Sequence, residues 1–234
     1  MSQGLREYLK LAVTIAVIVF LFIYAVRRNS AIEPIDYAGH LSDVAVTVDG
    51  EELTLYDLSF YVLYEEMAIE GEAEVYNKKN TRDFWNLHAN GIFFKAAAKK
   101  SVMDMAVHDH IFYRGAIDEG MELSEDESAI VDESYGDFLD DLYLVQKDSG
   151  LYDEKQIYET MERIALSEKY QGLLADRDGT TYAGYAYDGY DYDKLLKEHK
   201  VKINKAVWDR VSIGDNSLSH ESANAINGQE FLDE

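Results

Sequence analysis

The chain has 234 residues, with 45 acidic side chains against 22 basic ones and a formal charge of −23 at pH 7. So acidic a balance repels phosphate and excludes a nucleic-acid binder. The lack of cysteine excludes disulfides, thiolate zinc sites, a cysteine nucleophile and a cysteine-linked lipid anchor.

A 47% hydrophobic content and a single proline, Pro34, suit one domain of long helices plus an anchor and tails. Residues 1–8 read as a short tail before the anchor, which the charges alone do not assign to the cytoplasmic side. The stretch Leu11 to Val26, LAVTIAVIVFLFIYAV, carries no charge. As a helix it covers about 24 Å of a hydrocarbon core roughly 30 Å thick. Leu9, with Lys10 and Arg27 snorkelling outward, closes the gap, so residues 9–28 are expected to contact the lipid bilayer. A cleaved signal peptide is the competing reading. Against it, Arg27 and Arg28 follow the apolar run and no small-x-small cleavage site precedes them. Arg6 and Lys10 balance Arg27 and Arg28, so charge does not orient the anchor.

Residues 29–43 read as a linker. In VAVTVDGEELTLYDL, Val44, Val46 and Val48 alternate as one side of a strand, and Asp49-Gly50 is a turn dipeptide. Thr54 and Asp57 have capping spacing for a helix carrying Leu55, Leu58, Val62 and Ile69 to about Tyr76. Residues 77–90 are polar and irregular, with Phe84 and Trp85 expected in the core. Gly91 to Glu119 reads as a central, well-buried helix ended by Gly120, because apolar residues cover most of its circumference. Ser124 and Glu127 form a capping box for a helix bearing Val131, Tyr135, Phe138, Leu142 and Val145. Asp153 caps another helix running to about Ala175.

Residues 176–191 are rich in Tyr, Gly and Asp and read as a loop. A short helix from Tyr192 to His199 leads to the strand-like Val201–Asn204. Val207 and Trp208 are late apolar anchors, and residues 214–234 read as a mobile polar tail.

VAVTVDGEELTLYDL resembles the opening of the chaperone domain in the SurA/PrsA foldases of the bacterial cell envelope. Phe84-Trp85, the run KKSVMDMAVHDHIFYRGAIDEGMELSEDE and the closing YDKLLKEHKVKINKAVWDRV extend the resemblance over roughly Val44 to Val211. It implies a mainly α protein: an N-terminal transmembrane helix and, over residues 44–213, a multi-helix SurA N-terminal-like domain. A small β element would bring Val44–Val48 beside Val201–Asn204. It also implies a cell-membrane, single-pass protein with its large domain extracytoplasmic. The family's parvulin-type prolyl isomerase needs on the order of 90 residues. Only the stretch between Asp176 and Tyr192 is available, so the resemblance implies a chaperone half without isomerase activity.

Few residue clusters suggest chemistry. His108 and His110 lie about 200° apart on a helix and cannot share a metal, although Asp104 and His108 are at i, i+4 spacing. Asp188, Asp191 and Asp193 offer oxygens to calcium, but without the D-x-D-x-D-G frame. No nucleophile motif or phosphate loop is present. The expectation is therefore no catalytic residue, no metal and no cofactor.

Tyrosines in the 176–191 loop either form a contact surface or pack over the helices. The residues expected to meet a partner are Leu58, Tyr61, Tyr64 and Met67 on the first helix, and Tyr182, Tyr185, Tyr187 and Tyr190. The expected partners are unfolded or exported polypeptides. The alternative is one specific envelope protein docked by an interaction subunit.

Overall fold

The computed structural model describes residues 34–89 and 92–218. Among them no helix is long and apolar enough to cross a membrane. The expected anchor at 9–28, the tail at 1–8 and residues 219–234 lie outside the described residues.

The fold is mainly helical with a small sheet. Strands β1 (Val44–Val48) and β2 (Glu51–Thr54) form a hairpin. Asp49 and Gly50 both have positive φ, 50° and 97°, which matches the twist of a two-residue hairpin turn. Strand β2 was not foreseen. The period-two reading of β1 also needs correction. A register shift between Val44 and Val46 inserts an extra residue, so Ala45 and Val46 are both fully buried while Val44 is only partly so. Strand β5 (Val201–Ile203) pairs antiparallel with the free edge of β1, Val46 opposite Ile203 and Val48 opposite Val201. The sheet order is β2-β1-β5. The Asp49 carboxylate accepts the Lys200 backbone N–H at 2.7 Å and bonds the His199 ring at 2.6 Å. Those two contacts hold its pKa below the ordinary carboxylate range.

Helix α1 (Leu55–Asn77) begins at the expected capping box, with Asp57 accepting the Thr54 N–H at 2.8 Å. Its first half is enclosed on nearly every side, burying Leu55, Leu58, Phe60, Tyr61, Val62 and Leu63. The short helix α2 (Arg82–Trp85) delivers Phe84 and Trp85 to the core. Strands β3 (His88–Ala89) and β4 (Ile92–Phe93) pair and lead into helix α3 (Phe94–Asp118), which therefore starts later than Gly91. Helix α3 packs on α1 and on helix α6 (Glu154–Asp178). Gly120, at φ 68°, ends the α3 turn as expected.

Helix α4 (Glu125–Asp141) opens at the Ser124–Glu127 box. It stops before Leu142, whose backbone is extended, and a separate turn, α5 (Leu144–Lys147), follows. The break brings Gln146 into the core, where its amide donates to Leu63 O and Ser217 Oγ, each at 3.0 Å. Helix α6 runs three residues past Ala175 to a left-handed cap at Gly179. The stretch 176–191 is thus the end of α6, a 3-10 turn (Tyr182–Tyr185) and the start of helix α7 (Tyr190–Leu196), with no further module between. Helix α8 (Lys205–Trp208) buries Trp208.

The described parts of both proposed flanks, residues 34–43 and 214–218, pack into the domain. Ile35 and Tyr37, in the expected linker, are buried, and the Ile35 N–H donates to Arg210 O at 2.9 Å. At the other end Gly214, Asn216 and Ser217 wrap the carboxylate of Glu66, which has no solvent exposure. Oε1 accepts from the N–H of Gly214 at 2.5 Å and of Asn216 at 3.2 Å, and from the Asn216 amide at 3.3 Å. Oε2 accepts the Ser217 N–H at 2.8 Å and the Ser217 hydroxyl. Burial raises the Glu66 pKa and these donors pull it back. One helical turn on, Glu70 accepts the Trp85 indole N–H at 2.6 Å.

Two glycines separate packing from propensity. A Cβ at Gly115 would lie 2.2 Å from the Tyr170 ring, whereas none is obstructed at Gly136. Gly115→Ala is expected to cost about 1–3 kcal/mol through overpacking. Gly136→Ala should gain up to about 1 kcal/mol from helix propensity. Thermal denaturation followed by circular dichroism measures both. Glu66→Ala leaves its donors stranded and is expected to cost about 3 kcal/mol. Truncation after residue 213 removes the same donors, so adding Glu66→Ala to it should cost little more. Full additivity in chemical denaturation would rule out the clamp.

Candidate functional site

Four helices converge below the 3-10 turn and leave an apolar groove of about 440 Å³. Helix α1 contributes Phe60, Tyr61 and Tyr64, and α3 contributes Met105. Ile130 and Val131 come from α4, and Met161 and Ile164 from α6. Tyr182 and Tyr187 close the groove from the loop side. The Phe60 ring meets Tyr61 edge-on at 5.4 Å and stacks on Tyr64 at 6.2 Å, giving the α1 wall a fixed aromatic face. Tyr64, Ile130, Tyr182 and Tyr187 all remain exposed, with Ile130 at 62%. Large apolar side chains left open together mark a contact surface.

One end of the groove is polar. The Tyr61 hydroxyl donates to Asp109 at 3.0 Å, and the His108 ring bonds the other oxygen of Asp109 at 2.8 Å. His108 Nε2 donates to Tyr185 O at 2.9 Å, so the ring is engaged at both nitrogens and pins the loop to α3. Gln171 holds the loop again through Tyr182 O at 2.8 Å. Burial, with the nearby Asp109 charge, pushes the Tyr61 phenol well above its ordinary range. Burial and then Glu168 push the Tyr182 phenol to about 12. Both rings therefore act as neutral walls.

Of the eight residues expected to meet a partner, Tyr61, Tyr64, Tyr182 and Tyr187 line this groove together. The other four do not. Leu58 is fully buried because α1 is covered on that side too. Tyr185 turns inward, with its hydroxyl donating to Asp178 at 2.5 Å. Met67 is half-buried against the core, and Tyr190 stands apart on α7 beneath the Lys194 ammonium, 4.0 Å from its ring centre. Met105, Ile130, Met161 and Ile164 were missed as lining. For Met161 and Ile164 the signal was an apolar stripe on α6, where 161, 164 and 165 share one face.

Several of the candidate ligands named from the sequence are paired elsewhere. His110 faces away from His108, 3.4 Å from Glu51, and Asp104 pairs with Lys100. Asp191 accepts from Thr180 at 2.6 Å and Lys194 at 2.9 Å. Among the described residues no group of three or more His, Asp or Glu is placed to hold a metal. A larger cleft of about 810 Å³ runs between the β1–β2 turn, α3, α6 and α7. Its bases are matched with acids: Arg114 with Glu51 at 3.2 Å, Arg177 with Glu119 at 3.2 Å, and His199 with Asp49.

No protein-family model, curated protein or solved structure matches this chain.

The geometry divides the loop tyrosines into support and surface. Tyr185→Ala should cost about 3 kcal/mol, as expected for deleting a buried ring. Tyr187→Ala should stay within about 1 kcal/mol. Equal losses in a denaturant titration would contradict that division.

Proposed function

We propose that this protein is a membrane-tethered, chaperone-like binder that holds extended or unfolded polypeptide segments in the α1–α4–α6 groove and has no isomerase activity. The carrying observation is the convergence of exposed Tyr64, Ile130, Tyr182 and Tyr187 around one apolar trough. Tyrosine and methionine give large contact area with little demand for a particular sequence, which suits many clients. The acidic surface keeps a loaded complex soluble.

The resemblance of residues 44–211 to the SurA/PrsA chaperone domain supports the same reading, and with it a large domain outside the cytoplasm. The short span between α6 and α7 supports the lack of an isomerase module. The protein binds rather than catalyses in this reading, and residues 9–28 tether it to the bilayer.

The test uses the full chain in lipid nanodiscs. Near-stoichiometric protein is expected to slow the aggregation of several unrelated unfolded proteins, followed by light scattering. A Tyr64→Ser, Ile130→Ser double variant should lose most of that effect while keeping its helical circular dichroism. Absence of protection for every client would sink the reading, as would inhibitor-sensitive turnover of a proline peptide. Capture of one stoichiometric partner from intact cells, with no spread of clients, would favour the specific docking subunit instead.

A further inference from the structure

The groove carries a charge pattern that an indiscriminate apolar trough does not need. Its carboxylates are Asp109 and Glu168, its one basic side chain is His108, held against Asp109, and neither lysine nor arginine lines it. Asp109 is satisfied by Tyr61 and His108. Glu168 has no hydrogen bond or ion pair among the described residues. The bases nearest to it in sequence are engaged elsewhere. Lys169 reaches Glu127 at 2.7 Å and Glu122 O at 2.9 Å, and Arg163 lies 5.8 Å over the Tyr113 ring.

We propose that the groove selects segments combining apolar residues with a lysine or arginine, the cationic head seated against Glu168 and the apolar residues on the wall of Tyr64, Ile130 and Met161. This rests on the reading of the groove as a polypeptide site and names its preferred client. Three physical features meet at the cationic end. A carboxylate without a partner supplies the counter-charge. Tyr182, near enough to Glu168 to feel its charge, lines the same groove, and aromatic faces attract a cation lying over them. The aliphatic stem of lysine or arginine covers apolar surface while its head reaches the acid. Desolvation and the charge of Asp109 raise the Glu168 pKa, with His108 opposing, and an incoming cation would offset the repulsion from Asp109. A second copy of this chain is a poor occupant, since each copy carries a formal charge of −23 and repulsion opposes the pairing.

The experiment uses the full chain in nanodiscs of zwitterionic lipid and three fluorescent twelve-residue peptides. All share one pattern of Leu, Phe and Ala, with Lys, Gln or Glu at the same two positions. Anisotropy at low salt is expected to rank them Lys, then Gln, then Glu, with the Lys peptide about tenfold tighter than the Gln peptide, the effect of one well-placed charge contact. Glu168→Gln should bring the Lys-to-Gln affinity ratio close to one, and Ile130→Ser should weaken all three peptides several-fold. Equal affinities for the three peptides would overturn the cation preference and leave the groove reading standing. So would a Lys preference that survives Glu168→Gln, because it would belong to the chain's overall charge. No binding of any peptide, or binding indifferent to Ile130→Ser, would overturn both.

Discussion

A carboxylate with no solvent contact, held by donors from a turn about 150 residues further along the chain, organises this domain. Glu66 lies midway along α1, a helix enclosed on nearly every side in its first half. Removing a charge from water is expensive unless its hydrogen-bonding capacity is met, and here both oxygens are covered by backbone and side-chain donors of Gly214, Asn216 and Ser217. The consequence spreads through neighbours. Ser217 also receives Gln146, which in turn caps Leu63 O on α1. Trp85, tied to Glu70, packs its ring against Gly214. Gly214 has φ 95° and no room for a side chain, so the turn accepts no other residue there without strain.

The groove depends on that internal frame. Tyr61 and Tyr64 are presented on a helix whose opposite side is locked by the clamp, so the aromatic wall stands on rigid backbone. The loop wall is held by backbone acceptors: Tyr185 O bonds the His108 ring and Tyr182 O bonds Gln171. This leaves the rings of Tyr182 and Tyr187 free to adapt while the chain beneath them stays in place. A surface of that kind tolerates varied ligands without unfolding to meet them.

Local features were legible in the sequence because their causes lie within a few residues. The Thr54–Asp57 and Ser124–Glu127 boxes, the Asp49-Gly50 turn and the Gly120 stop each follow from nearby side chains. The pairing of Val44–Val48 with Val201–Ile203 was also expected, but from family resemblance, since periodicity names no partner. What stayed illegible depends on distant partners. Gly214 to Ser217 look like a polar tail, and nothing in their spacing reports a buried acid on α1. The tyrosine loop alternates evenly, yet Tyr185 turns inward and Tyr187 outward because a 3-10 turn and His108 decide their directions. Leu58 and Tyr64 sit on the same helix, and only the packing around it separates a core residue from an exposed one.

The β1–β5 pairing and the clamp together determine when this polypeptide can become stable. Residues 201–217 supply both the edge strand beside Val46 and the hydrogen-bond donors to Glu66. Until residues near 217 leave the ribosome, α1 carries an uncompensated acid and β1 has only β2 beside it. Contacts of such long sequence separation close late and slowly. The newly made chain therefore passes through an open, apolar stage of its own until residues 201–217 are in place.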